Sequence, residues 1–183
     1  MHMINPNISN RMYQIIKGTI LGGSSLVRSK GSKNCYLSMR SKNPYWLEFK
    51  AAELKQIASK KPFSIEKTNR WHSLCYPILN DIEKIFYKNK KRYLHKNALD
   101  DLTDIAYMIW FYESSIYERK IFVLNTHVWG EENTNKILNY FKLSSFDCSL
   151  FKDGDKFRIK FSKDSSLKIL KIISPHIPYN FKL

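Results

Sequence analysis

Apolar residues near the start of the chain recur at the spacing of one helix face. They are Met12, Ile15, Ile16, Thr19 and Ile20. Either Asn7 or Ser9 can cap this segment, because both side chains accept hydrogen bonds from free backbone N–H groups. Two adjacent glycines, Gly22 and Gly23, follow the last apolar position. The pattern therefore predicts a helix that ends at this glycine pair.

Beyond the glycines, side-chain character alternates from one position to the next, which is typical of strands. The stretches SLVRS (25–29) and NCYLSMRS (34–41) flank the basic, turn-rich stretch KGSKN (30–34). They predict a two-stranded ribbon with a cationic tip. PFSIEK (62–67) and RWHSLC (70–75) predict a second hairpin that turns at Thr68 and Asn69.

Amphipathic patterns predict helices over 44–59 and 77–88, followed by a basic linker, NKKRYLHKN, at 89–97. The order of elements then begins again with an apolar helix at 100–115 and continues to a closing helix that Pro175 ends. Self-similarity at a spacing of about 90 residues predicts an α+β fold of two pseudo-symmetric halves, 1–98 and 99–183, packed through their opening helices.

Positive charge is concentrated in the first half. The formal net charge is +15; residues 1–98 hold 19 Lys and Arg against 5 Asp and Glu, while residues 99–183 hold 12 against 11. A net +14 in one half favours a polyanion such as nucleic acid. The three cysteines form no metal-binding pattern, and no apolar run is long enough for a membrane span or secretory signal, so we expect an intracellular protein.

The strings that open each half resemble the two motifs of the LAGLIDADG homing endonucleases in their compact single-chain form. GTILGGSSL (18–26) is similar to the first motif, typically Leu-Leu-Gly-Asp-Gly-Ser-Leu, and IWFYESS (109–115) to the second, typically Trp-Phe-Met-Asp-Asp-Gly-Ser. The closing residues 157–183 resemble the family's final strand, helix and proline-containing tail. The likeness implies two αββαββα halves, each with a saddle-shaped antiparallel sheet that lies in the DNA major groove.

In that family an acidic residue at the foot of each motif helix binds the divalent metal ions that cleave the two strands. Aligned on the motifs, these positions fall at Gly23 and Ser114, and neither side chain is a carboxylate. Glu113 would be the ligand if the second alignment were shifted by one. The first half would still lack its acid, because no Asp or Glu precedes Glu48. We therefore expect no metal, no cofactor and no nuclease activity.

The basic hairpins supply candidate contacts to nucleic acid, with strand residues reaching base edges and loop lysines reaching phosphates. In the first half these candidates are Arg28, Lys30, Lys33, Tyr36, Arg40, Lys42, Lys67, Asn69 and Arg70. The second half offers Arg158 and Lys160, among acidic neighbours that would cancel much of the attraction: Glu118, Asp147, Asp153 and Asp155.

The leading hypothesis is a catalytically inactive protein of the homing-endonuclease type that binds nucleic acid, double-stranded DNA being the expected ligand, and regulates transcription. The alternative is the same fold repurposed as a protein-binding module, as in a phage or mobile-element product that engages host transcription or replication machinery. An RNA-binding maturase and an active site-specific, metal-dependent endonuclease are further alternatives. We expect a monomer without membrane contact, in the cytoplasm, or in the mitochondrial matrix if the chain is organelle-encoded.

Overall fold

Helices and antiparallel strands alternate along the computed structural model, which describes residues 7–59, 61–65 and 68–181. The helices of these residues are α1 (Asn10–Leu21), α2 (Pro44–Glu53), α3 (Pro77–Phe86), α4 (Asp104–Ser114), α5 (Gly130–Leu143) and α6 (Lys163–Ile173). The strands are β1 (Ser25–Val27), β2 (Tyr36–Ser41), β3 (Phe63–Ile65), β4 (Thr68–His72), β5 (Tyr87–Lys88), β6 (Lys91–Arg92), β7 (Ser115–Glu118), β8 (Ile121–Asn125), β9 (Cys148–Asp153) and β10 (Lys156–Phe161).

Two four-stranded antiparallel sheets have the same strand order. The first is β1-β2-β4-β3 and the second is β7-β8-β10-β9, while β5 and β6 form a separate two-stranded hairpin. An apolar helix precedes each four-stranded sheet. The predicted α+β class and the repeated order of elements are thereby confirmed, whereas the boundary between residues 98 and 99 stays a prediction.

The ends of α1 follow from its sequence. At the start, the Ser9 hydroxyl accepts a hydrogen bond of 3.2 Å from the backbone N–H of Met12, which selects Ser9 over Asn7 as the cap. At the end, the N–H of Ser24 donates to the carbonyl of Thr19 at 3.1 Å. This bond wraps the chain around Gly23, whose φ of +113° lies in the region that favours glycine. Gly23 therefore ends the helix by its backbone conformation.

Close packing of α1 against α4 forms the centre of the molecule. Ile15, Ile16 and Ile20 of α1 and Ile109 of α4 are completely buried. A Cβ atom at Gly18 would lie 2.5 Å from the carbonyl oxygen of Ala106. The absence of a side chain at Gly18 thus allows the two helices to approach closely.

A second contact between the two helices fixes their alignment. A Cβ at Gly22 would lie 2.8 Å from the Cβ of Glu113, so these two residues face each other. The residues that follow them, Gly23 and Ser114, consequently occupy equivalent places at the two helix ends. This pairing supports the motif alignment without the one-residue shift.

Replacing Gly18 with alanine tests the helix contact. Alanine favours a helix over glycine by about 1 kcal/mol, but the added methyl group must displace the α4 backbone. We expect Gly18→Ala to lower the free energy of unfolding by about 1–3 kcal/mol, measured by urea denaturation. Lys171→Ala, at an exposed position of α6, serves as a control with little effect. An equally stable or more stable Gly18→Ala protein would contradict this packing.

Two sequence predictions are corrected by the structure. The segment predicted as a basic linker contains the β5–β6 hairpin, which turns through Asn89 and Lys90 with φ values of 52° and 62°. Its anchor is a polar side chain, Arg92, which apolar periodicity cannot reveal. Thr68 and Asn69, predicted to form the turn of the second hairpin, belong instead to β4, and residues 66–67 between β3 and β4 lie outside the described residues.

The core is aromatic and continuous between the halves. All four tryptophans are buried: Trp46, Trp71, Trp110 and Trp129. Cys35 and Cys148 are also buried, and burial raises the pKa of the Cys35 thiol to about 12. None of the described helices is long and apolar enough to cross a bilayer.

Candidate nucleic-acid interface

A cleft of about 650 Å³ opens at the foot of α1 and α4, beside the first sheet. Its lining combines hydroxyl groups, two cationic side chains and one carboxylate. The lining residues are Gly22, Gly23, Ser24, Ser25, Val27, Ser38, Arg40, Ser41, Lys42, Asn43, Trp46, Tyr112 and Glu113. These are groups that bind anions and polar ligands, and Glu113 is the one acidic residue among them.

The Glu113 carboxylate is bound by donors from α2. Its Oε1 accepts a hydrogen bond of 3.0 Å from the indole Nε1 of Trp46 and pairs with the Nζ of Lys50. The Lys50 side chain is completely buried, and that of Glu113 is 11% exposed. Lys50 thus neutralises Glu113 from inside the protein, and α2 is tied to the end of α4.

The two predicted ligand positions offer no carboxylate. Gly23 has no side chain, and the Ser114 hydroxyl donates to the carbonyl of Trp110 at 2.8 Å. Throughout the described part of the chain, no group of three or more His, Cys, Asp or Glu side chains could hold a metal ion. Divalent cations in proteins need several oxygen ligands, usually including carboxylates. The residues at this place do not fit the metal ions that the family resemblance implies.

Arg92 brings a further positive charge to the end of α1. Its guanidinium donates to the carbonyls of Gly23 at 2.8 Å and Ser24 at 2.6 Å, and it lies 5.1 Å from the ring centroid of Trp129. Such contacts satisfy carbonyl groups that a helix end leaves free. They also place a positive charge beside the end of α1.

Two arginines lie opposite each other on the outward face of the first sheet. The register pairs Arg40 of β2 with Arg70 of β4, next to the pair Ser38 and His72. Within the described ranges neither guanidinium has a carboxylate partner, and the Arg70 Nε makes no hydrogen bond there. Like charges directly opposite in a sheet are destabilising. This face is therefore strongly cationic at its centre and borders the cleft through Arg40.

His72 lies between two aromatic rings on the same face. Its ring centroid is 5.2 Å from that of Tyr36 and 5.6 Å from that of Phe63. Burial lowers the pKa of His72, and the nearby charges of Arg70 and Arg40 lower it further. Both effects favour the neutral imidazole, which presents one donor and one acceptor between the two rings.

The other candidates of the first half differ in how free their side chains are to bind a ligand. Lys30, Lys33 and Lys42 are exposed in loops, where they can reach phosphates. Arg28 is held by Glu83, by the Asn80 amide oxygen at 3.1 Å and by the carbonyl of Lys33. Asn69 lies on the opposite face from Arg70, and its Nδ2 donates to the Ser41 carbonyl at 3.2 Å. Lys67 lies outside the described residues.

The candidates of the second half carry less free charge. Arg158 pairs with Asp153 at 3.0 Å, so its guanidinium is neutralised within the sheet. Lys160, two residues further along β10, is exposed. The first sheet is accordingly the more cationic of the two.

The sequence interpretation missed His72 and Phe63 as members of the first face. Counting alternate positions from Arg70 would have placed His72 beside it. Assigning Phe63 to this face requires the β3–β4 register, which pairs it with Arg70. The predicted turn at Thr68 and Asn69 gives these two strands a different register, which does not pair Phe63 with Arg70.

Comparisons with known proteins agree with this architecture. The family model described as the LAGLIDADG DNA endonuclease family matches residues 13–169. No curated protein matches the chain. Among solved structures, the homing endonuclease I-WcaI bound to its DNA recognition sequence is similar, with a TM-score of 0.88 at 17% identity, over 97% of this chain and 85% of that one.

Two further structures share the fold at greater distance. Mesophilic variants of the homing endonuclease I-DmoI give a TM-score of 0.58 at 10% identity, over 89% of this chain and 94% of that one. The N-terminal LAGLIDADG domain of DUF199/WhiA gives 0.51 at 11% identity, over 92% and 84% of the two chains.

Proposed function

This chain belongs to the LAGLIDADG DNA endonuclease family, and on that premise we propose that it binds double-stranded DNA through its first sheet and does not cleave it. The observation that carries the proposal is the facing pair Arg40 and Arg70, set beside a cleft whose single carboxylate is bound by Lys50. Binding and cleavage are separate properties, because they depend on different residues.

Binding is supported by the electrostatics of the first sheet. Arg40 and Arg70 repel each other in the free protein. A ligand that neutralises them relieves this repulsion, and the relief strengthens binding. A guanidinium can bind phosphate or the O6 and N7 atoms of guanine with two parallel hydrogen bonds. Exposed lysines in the flanking loops extend the cationic surface toward the backbone of a duplex.

Absence of cleavage is supported by the residues at the C-terminal ends of α1 and α4. Hydrolysis assisted by two metal ions needs carboxylates that hold the ions beside the scissile phosphates. The place of one carboxylate is taken by Gly23, and the nearest acid, Glu113, is already neutralised by Lys50. Arg92 adds a positive charge at the end of α1. A guanidinium does not supply an activated water.

A protein that holds a duplex site without cutting it acts by occupying that site. Occupancy can exclude or recruit other proteins on DNA, and we propose regulation of transcription as the biological use of the binding. The protein would then be present on intact DNA at defined sites.

Selection of bound duplexes from a random library, followed by measurement of Kd at several salt concentrations, tests the binding. Neutralising about six phosphates would weaken binding about 10³-fold between 50 and 200 mM salt. We expect a linear fall of log K with log salt of about that size. An affinity that does not change with salt, or recovery of no duplex above background, would contradict the proposal.

A further inference from the structure

The outward face of the second sheet carries apolar side chains between its charged ones. One row across this face consists of Ile116 of β7, Val123 of β8 and Lys160 of β10. Ile121 adds a third branched side chain to the same face of β8, and Ile116 is 42% exposed. The face therefore presents a stripe of β-branched side chains, which we call the apolar stripe: Ile116, Ile121 and Val123.

The core of the protein does not require these side chains. The helix-facing positions of the same strands are occupied by the buried residues Phe122, Leu124 and Ile159. A sheet with one face in solvent normally places polar residues on that face. The stripe thus departs from the expected alternation at the positions that correspond to the cationic face of the first sheet.

The next row of the second sheet contains an amide and a guanidinium group. The register places Asn125 of β8 beside Arg158 of β10, and Arg158 beside Phe151 of β9. The guanidinium of Arg158 is already bound by Asp153. The side-chain amide of Asn125 therefore provides the hydrogen-bond donor and acceptor of that row. An asparagine amide matches the N6 and N7 edge of adenine.

Apolar side chains have one obvious partner in the major groove, the 5-methyl group of thymine. Resting on the proposed DNA binding, we infer that the second sheet reads an A·T-rich half-site, with the apolar stripe against thymine methyl groups and Asn125 on adenine. Two exposed lysines of β10 on this face, Lys156 and Lys160, outnumber Glu118, which makes no ion pair with the described residues, and this positive balance favours DNA over a protein as the occupant. The first sheet, through Arg40 and Arg70, reads the G-containing half-site.

Deoxyuridine substitution isolates the methyl groups, because uracil keeps every hydrogen-bonding edge and charge of thymine. The full chain first selects duplexes from a random library, and we expect one A·T-rich half and one half containing guanine. Thymines are then replaced by deoxyuridine in one half at a time. Each methyl contact in the A·T-rich half is worth about 0.8 kcal/mol, so Kd rises about fourfold for each thymine contacted.

A variant of the protein tests the same methyl contact by changing the side chain instead of the DNA. Val123→Thr exchanges one methyl group for a hydroxyl at nearly constant shape, so the thymine duplex and the deoxyuridine duplex should bind it more equally. Leu167→Thr, at a 50% exposed position of α6, should leave the thymine preference of the parent.

The results of these experiments distinguish failure of thymine recognition from failure of DNA binding. Tight, salt-dependent binding with no effect of deoxyuridine in either half would overturn the reading of thymine but not the binding of DNA. Recovery of no duplex, with a stoichiometric protein partner that the Val123→Thr change releases, would assign the apolar stripe to a protein and overturn both.

Discussion

Replacing Arg40 and Arg70 together with glutamine is expected to weaken binding of the selected duplex by about 100-fold or more. Each arginine that makes two hydrogen bonds to a base contributes about 1–3 kcal/mol of discrimination, and 1.4 kcal/mol changes Kd tenfold. Both residues are on the outward face and their guanidinium groups make no ion pair with the described residues, so the fold should survive their replacement. The measurement is Kd by fluorescence anisotropy, with the thermal unfolding midpoint as a check.

The matched control removes the same charge from another surface. Lys168 and Lys171 are exposed on α6, and replacing both by glutamine lowers the net charge of +15 by the same two units. We expect this control to weaken binding less than tenfold through the general field alone. Equal losses in the two double variants would mean that total charge, and not the facing arginine pair, accounts for the affinity.

Replacing Lys50 with methionine is expected to destabilise the protein by about 3–5 kcal/mol, because it leaves the Glu113 carboxylate without its buried partner. In a protein of this size, that loss corresponds to a fall in Tm of about 6–20 °C. Removing both charges, as Lys50→Met with Glu113→Gln, should restore much of the stability. A glutamine oxygen can still accept the hydrogen bond from Trp46.

The control for this prediction is Lys55→Met, at an exposed position just beyond α2, where little change is expected. The account would be wrong if Lys50→Met unfolded at the temperature of the parent. It would also be wrong if Mg²⁺ or Mn²⁺ raised the Tm of the parent and Glu113→Gln removed that rise, since Glu113 would then be a metal ligand.

Local patterns in the sequence predicted the elements with strong periodicity and clear ends. The helix that begins after Ser9 and stops at the glycine pair is an example, because both ends are decided by residues within one turn. The first ribbon was predictable for the same reason. The β5–β6 hairpin was missed because Arg92 anchors it to backbone carbonyls of α1, about 70 residues earlier.

The candidate site was predictable as a list of residues but not as an arrangement. The sequence identifies Arg40, Arg70 and Glu113, yet their meaning depends on partners that only the fold provides. Arg40 and Arg70 become a repelling pair through the β2–β4 register. Glu113 acquires a buried lysine that is 63 residues away in sequence. Long-range pairings of this kind leave no trace in local composition.

The most direct test of the central claim is to incubate the selected duplex with the protein in Mg²⁺ or Mn²⁺ and to measure bound and cut DNA in the same sample. We expect a stable complex from which both strands are recovered intact. Site-specific cleavage of either strand, abolished by Glu113→Gln but not by Lys168→Gln, would contradict it.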